Sequence, residues 1–301
     1  MFLCGNIPYN KLLAISHAIK SRGYKVNSKY LNDSILEYCK HSDDSIVKSA
    51  NEMVHHCLEI DDKIPNEHSW KFTSESSIKE QLKGSGSPNE LNNIYWKDQV
   101  SNVEAYSIMT LWRGIELVRS CLNGLNNAET ISPAISSRSL LELSTVFLLN
   151  ANLLHKNFSE VKLSNSQVVI STDIEAFVVK MIWGTRFDDP EPHLLQTNIM
   201  TSLKRLSKNP AAADLMPTYE FLCDIAHPSF IGNTSYWSHV DSVNDDGSEN
   251  RVISRSVTRY TNTEILDKTL WALAWSSACI RNAFDIMTEA NTVILDKLQN
   301  G

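Results

Sequence analysis

The sequence predicts an all-α fold: a multi-helix bundle with one long irregular connection and at most a minor β element near residues 251–260. Three observations predict it. Apolar residues recur at three- and four-residue spacing over long stretches, alternating strand patterns are scarce, and capping residues stand where the periodic runs begin. The 301 residues are 42% apolar and 21% charged, which suits a sizeable core and is too apolar for disorder. A net charge of −7 provides no overall basic field to draw the chain to nucleic acid or an anionic membrane. RNA could then be held only by a local basic patch.

Taken in order, residues 9–22 carry an amphipathic pattern stopped by Gly23, and 28–41 and 43–60 read as two further helices. The second of these is striped by Ile46, Val47, Ala50, Met53, Val54 and Cys57. These segments form an N-terminal helical subdomain, residues 1–60. Residues 61–97 change character. Pro65, Asp61, Asp62 and the run Gly84-Ser85-Gly86-Ser87-Pro88 predict an irregular linker with one short helix near 76–83. Residues 98–301 form the main helical domain. Its first helix, 98–126, is striped by Ile108, Leu111, Trp112, Ile115, Val118, Leu122 and Leu125, with Gly124 and Asn126-Asn127 as its stop.

The next helix, Ile131 to His155, has Ser132 as N-cap and Pro133 in the first helical position. Thr172 to Glu175 is a capping box for a helix reaching Trp183. Shorter helices are expected at 194–207 and 214–226, and residues 229–260 as loop apart from a β-rich run, Arg251 to Tyr260. Thr261 to Glu264 is a second capping box, opening a helix that runs to about Leu298.

The N-terminal stretch has no basic region before its short apolar run, so a signal peptide is not expected, and no window supplies the roughly 18 apolar residues of a membrane helix. Six cysteines stand singly, without CxxC or metal spacing, and read as free thiols of a cytoplasmic protein. A glycine-rich phosphate loop, HExxH, GxSxG and paired zinc ligands are all missing, so neither metal nor cofactor is expected.

Arg138 and Glu142 stand at i and i+4 on the Ile131 helix, so they share a face and can pair. Around them Leu140, Leu141, Leu143, Val146, Phe147, Leu148 and Leu149 cover most of the helix circumference. The pair is then a mutually satisfied structural one or the floor of a site. Both readings stand at this point. His227 precedes Pro228, so the helix ends near Ala226 and the imidazole lies at its C-terminus. There the helix dipole and Asp224 favour the protonated form, suited to acid–base work or to capping.

Arg251, Arg255 and Arg259, spaced by four, form a candidate phosphate patch with Lys204, Arg205 and Lys208, unless the acidic run Asp241 to Glu249 neutralises it. Trp183 and Phe187 flank Arg186, another candidate binding residue.

Arg138-x3-Glu142 on an apolar helix, followed by Tyr219-x2-Leu222-x4-His227-Pro228, resembles a family of bacterial helical proteins grouped as a domain of unknown function. That family is similar in style to the HEPN helical folds. The resemblance implies a scaffold over residues 95–300, a dimer or other oligomer, and a stress or phage-defence role. HEPN ribonucleases carry an Arg four to six residues before a His on one helix. Thr218 to Ala226 contains no Arg, so that activity does not carry over by motif.

Two functions follow. The first is a helical binding or interaction module whose central polar site holds Arg138, Glu142, Tyr219 and His227, with a protein partner or a second copy. The second is a metal-independent endoribonuclease with His227 as general acid/base, Arg138 stabilising phosphate charge and Glu142 orienting Arg138. A small-ligand sensor on the same site is a lesser alternative.

Overall fold

Ser87 and Pro88 do more than break the chain. In the computed structural model, which describes residues 30–32, 44–71, 75–84, 86–187, 189–228, 230–253 and 263–300, they open the longest helix. The Ser87 hydroxyl accepts from the Glu90 N–H at 3.3 Å, and the Glu90 carboxylate accepts from the Gly86 N–H at 3.0 Å. This is the reciprocal logic of a capping box with Pro in the first turn. The helix expected from residue 98 therefore begins at Pro88.

The helices are α1 (Asp44–Leu58), α2 (Glu75–Lys83), α3 (Pro88–Asn126), α4 (Ile131–Glu160), α5 (Thr172–Trp183), α6 (Ile199–Leu206), α7 (Leu215–Ala226), α8 (Phe230–Trp237) and α9 (Thr263–Asn300). One antiparallel hairpin, β1 (Ser238–Val243) and β2 (Glu249–Ile253), completes an all-α bundle with a minor β element. The helix expected at 9–22, most of that at 28–41, and the cap residue Thr261 lie outside the described residues.

Two elements depart from expectation. Residues 230–243, expected as loop, form α8 and β1, while the β-rich run expected from Arg251 meets β2 at 251–253 and otherwise lies outside the described residues. The turn explains the hairpin: Gly247 adopts φ +82°, its N–H donates to the Asn244 carbonyl at 2.9 Å, and the Asn244 N–H donates to the Ser248 carbonyl at 2.8 Å. The caps also move. Ser171, not Thr172, caps α5 by accepting from the Ile174 N–H, and α4 begins at Ile131 with Pro133 inside its first turn, where a missing N–H costs nothing.

The chain divides into two compact units: 1–61 with 114–145 and 203–279, and 62–113 with 146–202 and 280–301. This division follows packing, and the chain passes between the units after residues 61, 113, 145, 202 and 279. In the first unit the α1 stripe Val47, Ala50, Val54 and Cys57 is buried, as are Val118, Cys121 and Leu122 of α3 and Leu140 and Leu141 of α4. The α3–α4 turn is tight. Ala128 takes φ +55°, the Glu129 N–H reaches back to the Gly124 carbonyl at 2.9 Å, and a Cβ on Gly124 would lie 2.8 Å from Pro133 Cδ.

In the second unit one side chain holds a whole loop. Asn92, 2% exposed, donates to the carbonyls of Ser164 (3.0 Å) and Gln167 (2.9 Å) and accepts from the Val169 N–H (2.7 Å). Tyr95 OH and Trp96 Nε1 donate to the Ser171 and Val169 carbonyls, each at 2.9 Å. At the other end of that loop, Lys297 Nζ donates to the carbonyls of Phe158, Ser159 and Val161 at 2.9, 2.7 and 2.8 Å. A cation there satisfies the orphan carbonyls of α4 and complements its dipole.

Two predictions follow from these contacts. Lys297→Met keeps the apolar stem and removes all three donors, so it should lower unfolding free energy by about 1–2 kcal/mol in urea titrations. A loss within error would show that water replaces the ammonium at no cost. The turn should respond with opposite signs. Gly124→Ala should destabilise by about 1 kcal/mol because the Pro133 clash exceeds the helix-propensity gain. Ala128→Gly should stabilise by about 0.5 kcal/mol by relieving the left-handed backbone. Equal signs in the two melts would contradict the turn geometry.

Candidate functional site

The first unit brings α4 and α7 side by side at the predicted polar stripe. Glu142 follows Arg138 by one turn, and Tyr219 and Cys223 repeat that spacing on α7. Arg138 Nη2 lies 3.1 Å from Glu142 Oε1, and the Tyr219 hydroxyl donates to the same Oε1 at 2.7 Å. Nη2 also donates to that hydroxyl at 3.5 Å, and the guanidinium carbon stands 5.6 Å from the Tyr219 ring centroid. Arg138 Nε donates to Cys223 Sγ at 3.1 Å.

Tyr219 is buried, at 4% exposure, whereas the Arg138 and Glu142 side chains keep 29% and 34% of their surface. The pair therefore sits at the edge of the core, neither enclosed nor fully solvated. Glu142 Oε1 accepts from two donors, and the arginine uses the Nε–Nη2 side of its fork inward. Burial works against the Arg138 charge, but the bonds to Cys223 and Tyr219 and the Glu142 charge outweigh it and hold the group more firmly protonated than usual. Burial, followed by the bond to Glu142, pushes the Tyr219 phenol above its ordinary range, with the Arg138 bond opposing.

The other candidate residues lie apart from this group or outside it. His227 caps α7 through its backbone N–H, which donates to the Cys223 carbonyl at 3.0 Å, and its side chain is exposed. Among the described residues its imidazole makes no hydrogen bond or ion pair with Arg138 or Glu142. Asp224 is exposed on the next position of α7 after Cys223.

Arg251 lies on β2, with Nε 2.7 Å from the Glu249 carboxylate and Nη1 donating to the Ser238 hydroxyl at 3.2 Å. Arg255 and Arg259 lie outside the described residues. Arg186 is exposed in the second unit, near Phe187, which is 79% exposed, while Trp183 packs against Trp70 with ring centroids 5.7 Å apart.

Sequence reasoning missed Cys223. The signal was present, because Cys223 repeats the i, i+4 spacing from Tyr219 that Glu142 shows from Arg138. Of the described cysteines, Cys57, Cys121 and Cys279 are buried and Cys223 half-buried, all as free thiols. Among the described residues no His, Cys, Asp and Glu cluster could hold a metal, and no helix is long and apolar enough to cross a membrane.

The resolved phenol and thiol titrations share one sign, and in the alkaline range the Lys297 ammonium, lowered by burial, opposes them as a single group. Tyr95, Tyr106 and Tyr219 are raised, and burial pushes the Cys121 and Cys279 thiols up to about 12. In the unfolded chain thiols lose protons near pH ~8.5 and phenols near ~10. The folded chain keeps them, so their contribution is complete below those values and is lost as pH rises towards the folded ones. Urea midpoints should therefore fall steadily from pH 8 to pH 11. Tyr219→Phe should start lower, by about 1 kcal/mol for the lost Glu142 bond, and fall less steeply above pH 10. Parallel curves for the two proteins would remove Tyr219 from this account.

Comparison with family models, curated proteins and solved structures gives no match.

Proposed function

We propose that the chain is a helical binding module whose site is the Arg138–Glu142–Tyr219 group on α4 and α7, held in place by Cys223. The observation that carries this is the sharing of Glu142 Oε1 between the guanidinium and the phenol. A shared acceptor fixes three side chains at one geometry before any ligand arrives, which reduces the ordering cost of binding.

The same arrangement weighs against the nuclease reading. Charge stabilisation of a phosphoryl transition state needs a cation whose charge is uncommitted. Arg138 already has its counter-ion 3.1 Å away. A general acid or base must also stand within hydrogen-bond reach of the reacting group, and His227 is an exposed cap with no bond to the pair among the described residues.

Two measurements on the purified chain test the proposal together. Incubation with total RNA in EDTA should give no cleavage; cleavage abolished by His227→Ala would overturn the reading in favour of the nuclease. Thermal-shift screening of a fragment library should give hits that disappear in both Arg138→Lys and Glu142→Gln. Hits that all survive both substitutions would place binding elsewhere.

A further inference from the structure

From the unused atoms of this site, and resting on the binding reading above, we infer the ligand class: an uncharged amide or lactam edge, not a phosphate or carboxylate. Arg138 has five N–H donors. Nε is taken by Cys223, and Nη2 by Glu142 and Tyr219. Nη1 has no partner among the described residues, and neither does Glu142 Oε2. Neither atom is among the buried polar atoms left without a partner, and the two side chains keep 29% and 34% of their surface. The site therefore presents two N–H donors and one carboxylate acceptor, carried by neighbouring side chains.

Charge selects among ligands that could use these atoms. The Arg138–Glu142 pair is neutral as a unit. An oxyanion approaching Nη1 meets the carboxylate of Glu142 as well, and like charges at this range in a partly desolvated site disfavour it. A primary cation meets Arg138 in the same way. A group offering a carbonyl oxygen to Nη1 and an N–H to Oε2 satisfies both without adding charge. That pattern is an amide: the –CO–NH– edge of a nucleobase such as uracil or guanine, or the carboxamide of a glutamine side chain. Both hydrogen bonds would involve a charged protein partner, the stronger kind. Tyr219 takes no ligand bond in this arrangement. It is a positioning residue, because its hydroxyl fixes Oε1 and leaves Oε2 to the ligand.

The test uses the full chain and four probes: uridine, guanosine, N-acetylglutamine amide and inorganic phosphate, followed by ligand-observed NMR and calorimetry. At least one amide probe should bind wild type, and phosphate should not. Binding by the nucleosides alone, or by the glutamine amide alone, identifies the source of the edge. Glu142→Gln should weaken the amide probe by about tenfold or more and introduce phosphate binding, because Arg138 then lacks its counter-ion.

Arg138→Lys, which keeps the charge but not the fork, should also weaken the amide probe by about tenfold. Tyr219→Phe should weaken it less than either. Phosphate binding to wild type more tightly than every amide probe, or amide binding unchanged in Glu142→Gln, overturns the inference. If fragments bind at the Arg138–Glu142 site and no amide probe does, the ligand class fails while the binding module stands.

Discussion

The fold is governed by a helix that cannot meet water. Along α4, Leu140, Leu141, Phe147, Leu148, Ala151, Leu154 and Phe158 are all fully buried, and they leave no continuous polar face. Each of these leucine and phenylalanine side chains contributes roughly 1.5–3 kcal/mol when removed from water, so the helix is stable only when enclosed. In the first unit its N-terminal half shares a core with α3, α7 and α9 residues such as Val118, Leu222 and Leu273. In the second, its C-terminal half lies with Trp96, Ile280 and Met287. A polar side chain on this helix must find partners or reach the edge. Arg138 and Glu142 do both.

That double condition explains why the site has the form it does. A fully buried pair would lose several kcal/mol per ion to desolvation, and a fully solvated one would be worth little. At about one-third exposure each member keeps an accessible atom while the other atoms are held by Tyr219 and Cys223. Position is thereby fixed without closing the group to a ligand. Other hydroxyls of α4 find different partners: Ser137 Oγ returns to the Pro133 carbonyl at 2.6 Å, while Ser136 Oγ meets Ser120 at 3.1 Å and Ser144 Oγ meets Ser276 on α9 at 3.2 Å.

Much of this was legible in the residues. The spacing of Val47, Ala50 and Val54, and of Ile108, Leu111 and Ile115, gave the helices and their buried faces because amphipathic periodicity is a local property. The pairing of Arg138 with Glu142 was legible for the same reason. Partners from a distant segment were legible only in part: Tyr219, expected at the site, meets Arg138 and Glu142, whereas His227 does not and Cys223 was not singled out. Nothing local says that α7 turns Tyr219 and Cys223, rather than His227, towards α4; only packing decides which face of a helix looks inward. The hairpin is hidden differently: Ser238 to Val243 is too polar to read as a strand, and the Asp246-Gly247 turn that creates it stands in a run that reads as an acidic loop.

The clamp at Asn92 has a consequence for variation. Asn92, Tyr95 and Trp96 grip the α4–α5 connection through its backbone: the carbonyls of Ser164, Gln167, Val169 and Ser171, and the Val169 N–H. None of these five bonds touches a side chain of that connection, and Asn165, Ser166, Gln167 and Val168 project into solvent. The connection's shape is thus encoded seventy residues upstream, in α3. The exposed letters at 165–168 are free to drift, provided the peptide groups stay where three side chains expect them. Heritable constraint and visible structure lie in different parts of the chain.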